Sequence, residues 1–104
     1  MKIIETDNAP KAIGTYSQAV KVNGFLFVSG QIPLDPSTME LVEGIENQIN
    51  QVFENINQIL KADGMDFSNV VKLSVLLEDL SHFEKVNEIM ASIFSKPYPA
   101  RAAY

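Results

Sequence analysis

Asn23-Gly24, set between Val20-Lys21-Val22 and Phe25-Leu26-Phe27-Val28, constrains this chain more than any other stretch. Asparagine and glycine tolerate the positive φ angles of a two-residue type I′ turn, whose twist matches that of paired strands. The pattern predicts a β-hairpin over residues 17–32. Pro33 and the cluster Asp35-Pro36-Ser37-Thr38 end its second strand and open a loop. Phe25 to Val28 is apolar on both faces, so a helix layer on one side leaves the other side in need of cover.

Beyond the loop, Ile45, Ile49, Val52, Phe53, Ile56, Ile59 and Leu60 recur at helical spacing, and Gly64 suits a left-handed C-cap. A strand follows, with Val71, Leu73, Val75 and Leu77 on one face and Val70, Lys72, Ser74 and Leu76 on the other. Leu80-Ser81-His82-Phe83-Glu84 has the spacing of a capping box, with Ser81 as N-cap and Glu84 at N3. It predicts a second helix with Phe83, Val86, Ile89, Met90, Ile93 and Phe94 on its apolar face, stopped by Lys96-Pro97. Pro97 and Pro99 make the last residues extended. The order hairpin, helix, strand, helix, strand in 104 residues, without linker or repeat, predicts one α+β domain over residues 1–104. Its two layers would be a mixed sheet and two helices. The sheet face carrying Phe25 and Phe27, left bare by the helices, predicts an oligomer interface. Val70 and Leu76 also point away from the helices, and Ser29 and Gln31 bring polarity to the Phe25 side, so a site at that interface is expected.

Composition narrows the chemistry. Hydrophobic residues make up 46% and charged residues 20%, with no apolar run long enough to span a bilayer, so a soluble protein without membrane contact is expected. The N-terminus turns acidic too early for a signal peptide and cysteine is absent, which predicts a cytoplasmic location. A formal charge of -5 argues against nucleic acid as a partner, because phosphate binding needs a basic surface. One histidine, no cysteine and no clustered carboxylates exclude the usual zinc sites and nucleophilic triads, and no glycine-rich phosphate loop is present. A cofactor-free, metal-free pocket remains.

Arg101 is the principal candidate within it. It stands among alanines in Pro97-Tyr98-Pro99-Ala100-Arg101-Ala102-Ala103-Tyr104, where its planar five-donor fork could take a small carboxylate or pair with one of the chain's own acidic side chains. Tyr16 follows a turn-rich entry, and its hydroxyl could orient a ligand or simply face solvent. Gly30, between Ser29 and Gln31, marks either a bulge or a close approach of ligand to the main chain. Asn87, one position from the apolar stripe of the second helix, could bond water or a neighbouring subunit. His82 reads as a surface residue.

Asn8-Ala9-Pro10, Ile13-Gly14-Thr15-Tyr16-Ser17-Gln18-Ala19, Val28-Ser29-Gly30-Gln31-Ile32-Pro33, Gly64-Met65-Asp66 and Tyr98-Pro99-Ala100-Arg101 together resemble the RidA/YjgF family, in its order and spacing. That resemblance implies a chorismate-mutase-like subunit in a homotrimer with clefts between subunits. It also implies hydrolysis of 2-enamine and 2-imine acids to 2-oxo acids and ammonia, without cofactor or metal. Arg101 would clamp the carboxylate and the Ala103 backbone would hold substrate or water. Gly30 would line the pocket through its main chain, with Tyr16, Ser29 and Asn87 completing it. The family's final strand and its water-holding glutamate have no match here, so a chain ending at Tyr104 is expected to be a truncated or catalytically impaired form. Binding of 2-oxo acids without turnover is the alternative, and an endoribonuclease role the third.

Overall fold

The computed structural model describes all residues, Met1–Tyr104, and they group into two compact units, Met1–Met65 and Asp66–Tyr104. In the first unit, β1 (Lys2–Ile4), β2 (Ala19–Val22) and β3 (Phe25–Val28) form an antiparallel sheet in the order β1-β2-β3. The hairpin turn has φ 50° at Asn23 and 81° at Gly24, the two positive angles that a type I′ turn requires. Ile3 pairs with Val20 on one side and Phe27 pairs with Val20 on the other, so one residue of each strand shares a face. The opposite face turns Ile4, Ala19, Leu26 and Val28 onto Ile59 and Ala9, the core of this unit. β1 carries no turn signal and adds a strand to the expected hairpin. Its pairing is dictated by Ile3 and Ile4 alternating in step with β2.

Helix α1 (Ile45–Ala62) buries Ile49, Phe53, Ile59 and Leu60, as the spacing predicts. Its C-terminus is a Schellman motif: Gly64, at φ 70°, donates its N–H to Lys61, and the Met65 N–H reaches Leu60. Lys21 Nζ lies 3.2 Å from Asp63 Oδ1 in hydrogen-bond geometry and 3.0 Å from Oδ2 as an ionic contact, tying β2 to the helix end.

In the second unit, β4 (Lys72–Val75) and β5 (Ala100–Ala103) form a parallel pair, with Leu73 opposite Arg101 and Val75 opposite Ala103. Antiparallel and parallel ladders are thus both present, in separate sheets. β4 starts later than the expected strand because the Val70 N–H still bonds Phe67 in a preceding 3-10 turn, Phe67–Asn69, which Asp66 and Asn69 cap reciprocally. Helix α2 (Phe83–Ile93) buries Val86, Ile89 and Met90, and Phe94 meets Phe67 edge to face at 5.3 Å.

The start of α2 corrects one expectation. No Ser81–Glu84 capping box forms: a 3-10 turn, Leu80–His82, runs into the helix, and Asp79 Oδ1 accepts the Ser81 N–H at 2.9 Å. The N-cap of α2 is His82, which makes no capping bond with its side chain. Aspartate two residues earlier supplies the stronger acceptor, so the donor count at the helix start is met before Ser81 can serve. No helix is long and apolar enough to cross a membrane.

Candidate functional site

Arg101 is placed by strand alternation. The Ala100 N–H donates to Val71 and the Tyr104 N–H to Val75, so the even-numbered amides of β5 face β4. The N–H groups of Arg101 and Ala103 therefore point to the opposite edge. The Arg101 side chain is exposed and meets α2, where all three of its neighbours are uncharged. Nη1 donates to Asn87 Oδ1 at 2.5 Å and contacts Met90 Sδ at 3.6 Å. The guanidinium carbon stands over the Phe83 ring, 4.6 Å from its centre. Pairing of Arg101 with an acidic side chain of its own chain, the competing reading, is not what forms. A guanidinium held only by an amide, a thioether and a ring keeps its full charge and its other donors, which is the state that suits an incoming carboxylate.

Of the residues singled out in the sequence, the structure brings Arg101 and Asn87 into contact. Asn87 is exposed, and its Oδ1 accepts a hydrogen bond from Arg101. Ala103 lies half-buried on the same strand as Arg101.

The first unit carries Tyr16, Ser29 and Gly30. Tyr16 is half exposed, and Gly14 lets its ring lie close: a Cβ at Gly14 would stand 3.3 Å from Tyr16 Cε1. Ser29 is fixed at two points, its N–H on the Gln18 carbonyl at 2.9 Å and its hydroxyl on the Ser17 carbonyl at 2.6 Å. The Ser29 proton is thereby spent, and its oxygen can act only as an acceptor. Gly30 follows β3 rather than interrupting it, so no bulge forms. It is exposed, a Cβ there would meet nothing within 4 Å, and its φ is not positive. Nothing in the chain itself demands glycine at that point.

Behind Ser29 lies a residue whose role the sequence did not reveal. Gln18 is 4% exposed. Its Nε2 donates to the carbonyls of Thr6 at 3.0 Å and Pro10 at 2.8 Å, with Ala9 at 3.4 Å, while Oε1 accepts the Thr6 N–H at 2.7 Å. Asn55, fully buried, does similar work farther along, donating to the carbonyls of Leu34 at 3.0 Å and Ile32 at 3.4 Å. The segment from Ser29 to Leu34 is held at its start by the Gln18 backbone carbonyl and at its end by the buried Asn55 side-chain amide. Phe83 was likewise read only as part of an apolar stripe. Its spacing of four residues from Asn87 and seven from Met90 was the available signal, because those positions share a helix face.

No group of three or more His, Asp or Glu side chains is arranged to hold a metal. The family model described as endoribonuclease L-PSP matches residues 6–104. A 2-iminobutanoate/2-iminopropanoate deaminase of Mus musculus is 51% identical over 104 residues, covering 99% of this chain and 77% of its own length. A RutC family protein of Pyrococcus horikoshii is 50% identical over 103 residues, covering 98% of this chain and 82% of that protein. The crystal structure of RidA from an Antarctic Psychrobacter superposes with a TM-score of 0.97 at 53% identity, covering 100% of this chain and 85% of the other.

Proposed function

Since the chain belongs to the RidA/YjgF family, described as endoribonuclease L-PSP, we propose that it hydrolyses 2-enamine and 2-imine acids to 2-oxo acids and ammonia. The observation that carries this reading is the uncompensated charge of Arg101, whose contacts are all neutral. A short acid with its carboxylate on that fork would place its C2 carbon one bond away, beside the β5 edge that bears the Ala103 N–H. Water adds to C2 of the protonated imine, and a proton passes from the added oxygen to nitrogen, giving an N-protonated carbinolamine. The C–N bond then breaks as the C2 oxygen loses its proton and nitrogen leaves as ammonia. The imine carbon is already electrophilic, so positioning supplies most of the acceleration. Tyr16, Ser29 and the Gly30 main chain, in the first unit, are further substrate-contact candidates on the family pattern, Ser29 through its oxygen as an acceptor. Asn87 serves through Arg101.

The apolar outer face of the first unit's sheet, with Ile3, Val20, Val22, Phe25 and Phe27, is covered in this reading by further copies in a homotrimer. A ribonuclease role is disfavoured by the net charge of -5 and by a single histidine, since phosphodiester cleavage draws on basic groups.

The test couples the protein to a dehydratase that releases 2-iminobutanoate and reads 2-oxobutanoate formation above the spontaneous rate. Wild type is expected to accelerate it and Arg101→Lys to lose the acceleration, because an ammonium cannot reproduce a bidentate fork. Calorimetry with 2-oxobutanoate should show Arg101→Lys weakened by about 1.5–3 kcal/mol, the worth of a hydrogen bond to a charged group. Binding without acceleration would favour the non-catalytic alternative. Equal affinity in the variant would reject Arg101 as the clamp.

A further inference from the structure

Phe83, Asn87 and Met90 occupy successive turns on one face of α2, and all three touch the same guanidinium. Met90 is buried, Phe83 half-buried and Asn87 exposed, so they form a graded seat running from the core to the surface. Two of the three contacts fall on Nη1. Asn87 takes one of its protons, and the Met90 sulfur lies beside it. The carboxylate-matching edge left over is the one formed by Nε and Nη2. The ring carries the guanidinium from below, and a cation within about 6 Å of a ring centre is held by the ring quadrupole. Arginine has four side-chain torsions between its backbone and its charge, and ordering them costs free energy on every binding event unless it is done beforehand.

We propose that Phe83 is a positioning residue: together with Asn87 it pre-orients Arg101 so that the Nε–Nη2 edge, rather than the Nη1–Nη2 end, receives the substrate carboxylate. The inference rests on the carboxylate-clamp reading of Arg101 and adds to it the group that aims the clamp. It makes the aromatic character of residue 83, not its bulk, the quantity that matters for the substrate. It also reassigns Asn87 from a substrate contact to a partner of the arginine.

The experiment is calorimetry with 2-oxobutanoate, with kinetics, on the protein carrying Phe83→Tyr, Phe83→Leu or fluorinated phenylalanines at residue 83. Leucine retains apolar bulk and loses the π face. Fluorination keeps the shape and weakens the quadrupole step by step. Phe83→Leu is expected to bind about two- to fivefold more weakly, with the loss in KM rather than kcat, and Phe83→Tyr to match wild type. The fluorinated series should weaken in order of fluorine count. Arg101 Hε should also lose its ring-current shift in Phe83→Leu. Wild-type affinity in a Phe83→Leu protein of unchanged melting temperature, or no trend along the fluorinated series, overturns the positioning role while Arg101→Lys still weakens binding. Absence of 2-oxobutanoate binding in wild type, with Arg101→Lys no different, overturns the clamp reading itself and this inference with it.

Discussion

Gln18 shows how one buried amide organises a stretch with no regular structure. Residues 6–10 have no ladder to satisfy their carbonyls, and the Gln18 side chain supplies donors to three of them while accepting the Thr6 N–H. Its own backbone carbonyl meanwhile holds Ser29. Leucine would fill the same space and leave those polar groups without partners, at about 1–3 kcal/mol for each buried group. Gln18→Leu is therefore expected to lower unfolding free energy by at least about 2 kcal/mol in urea titration. A loss below the resolution of the measurement would mean that water replaces the amide freely. Lys21 and Asp63 are coupled in the same sense. The Asp63 side chain is only 5% exposed, so removing the lysine alone leaves a buried carboxylate facing nothing.

At the scale of elements, three surface turns share one device. Asp35, Asp66 and Asp79 each accept from the serine two residues on, and each carboxyl lies below its ordinary value of 3.8 for that reason. For Asp35 and Asp66 the serine hydroxyl contributes most and the serine backbone N–H next. For Asp79 the Ser81 backbone N–H leads, and the charge of His82 helps slightly. A carboxyl whose folded value is lowered binds fewer protons in the folded state. Its stabilisation is complete above the unfolded value and disappears as the pH falls through the folded one. Acid melting curves should accordingly drop below about pH 4, and Asp79→Asn should flatten that drop. At neutral pH, Asp79→Ala should lower the melting temperature more than Ser81→Ala, since the Ser81 N–H survives in the second variant. The reverse order would restore Ser81 as the cap of α2.

At the scale of the whole molecule, the outer face of the antiparallel sheet is the main unspent resource. Ile3, Val22, Phe25 and Phe27 are 45%, 40%, 63% and 60% exposed, and the two phenylalanine rings lie 6.5 Å apart. The register aligns Ile3, Val20 and Phe27 across three strands, which makes the patch continuous rather than scattered. Under the proposed assembly, native mass spectrometry at micromolar concentration should report a trimer, and Phe27→Glu should release monomer. A wild-type monomer under those conditions would remove the assembly from the account. Because Phe27 points away from the core of its own unit, the variant's far-UV circular dichroism should stay close to wild type.

Local chemistry made much of this chain legible before any coordinates. Asn23-Gly24 could make only a tight turn of positive φ, and the apolar period from Ile45 to Leu60 with Gly64 behind it could hardly be other than a helix and its Schellman stop. Those features are decided within a few residues, where backbone sterics and side-chain period act directly. Arg101 was legible as a lone cation in an extended segment, and the motifs as a family pattern. Its partners were not. Asn87 lies fourteen positions away and Gln18 twelve from Thr6, so their bonds exist only once the chain has brought distant segments together. The start of α2 misled for a related reason: Ser81 and Asp79 both had the chemistry of a cap, and the preceding 3-10 turn chose between them. Sequence determines which groups a segment can offer. Tertiary structure decides which of them find a partner, because a hydrogen bond needs its two ends within about 3 Å and no local pattern sets that distance.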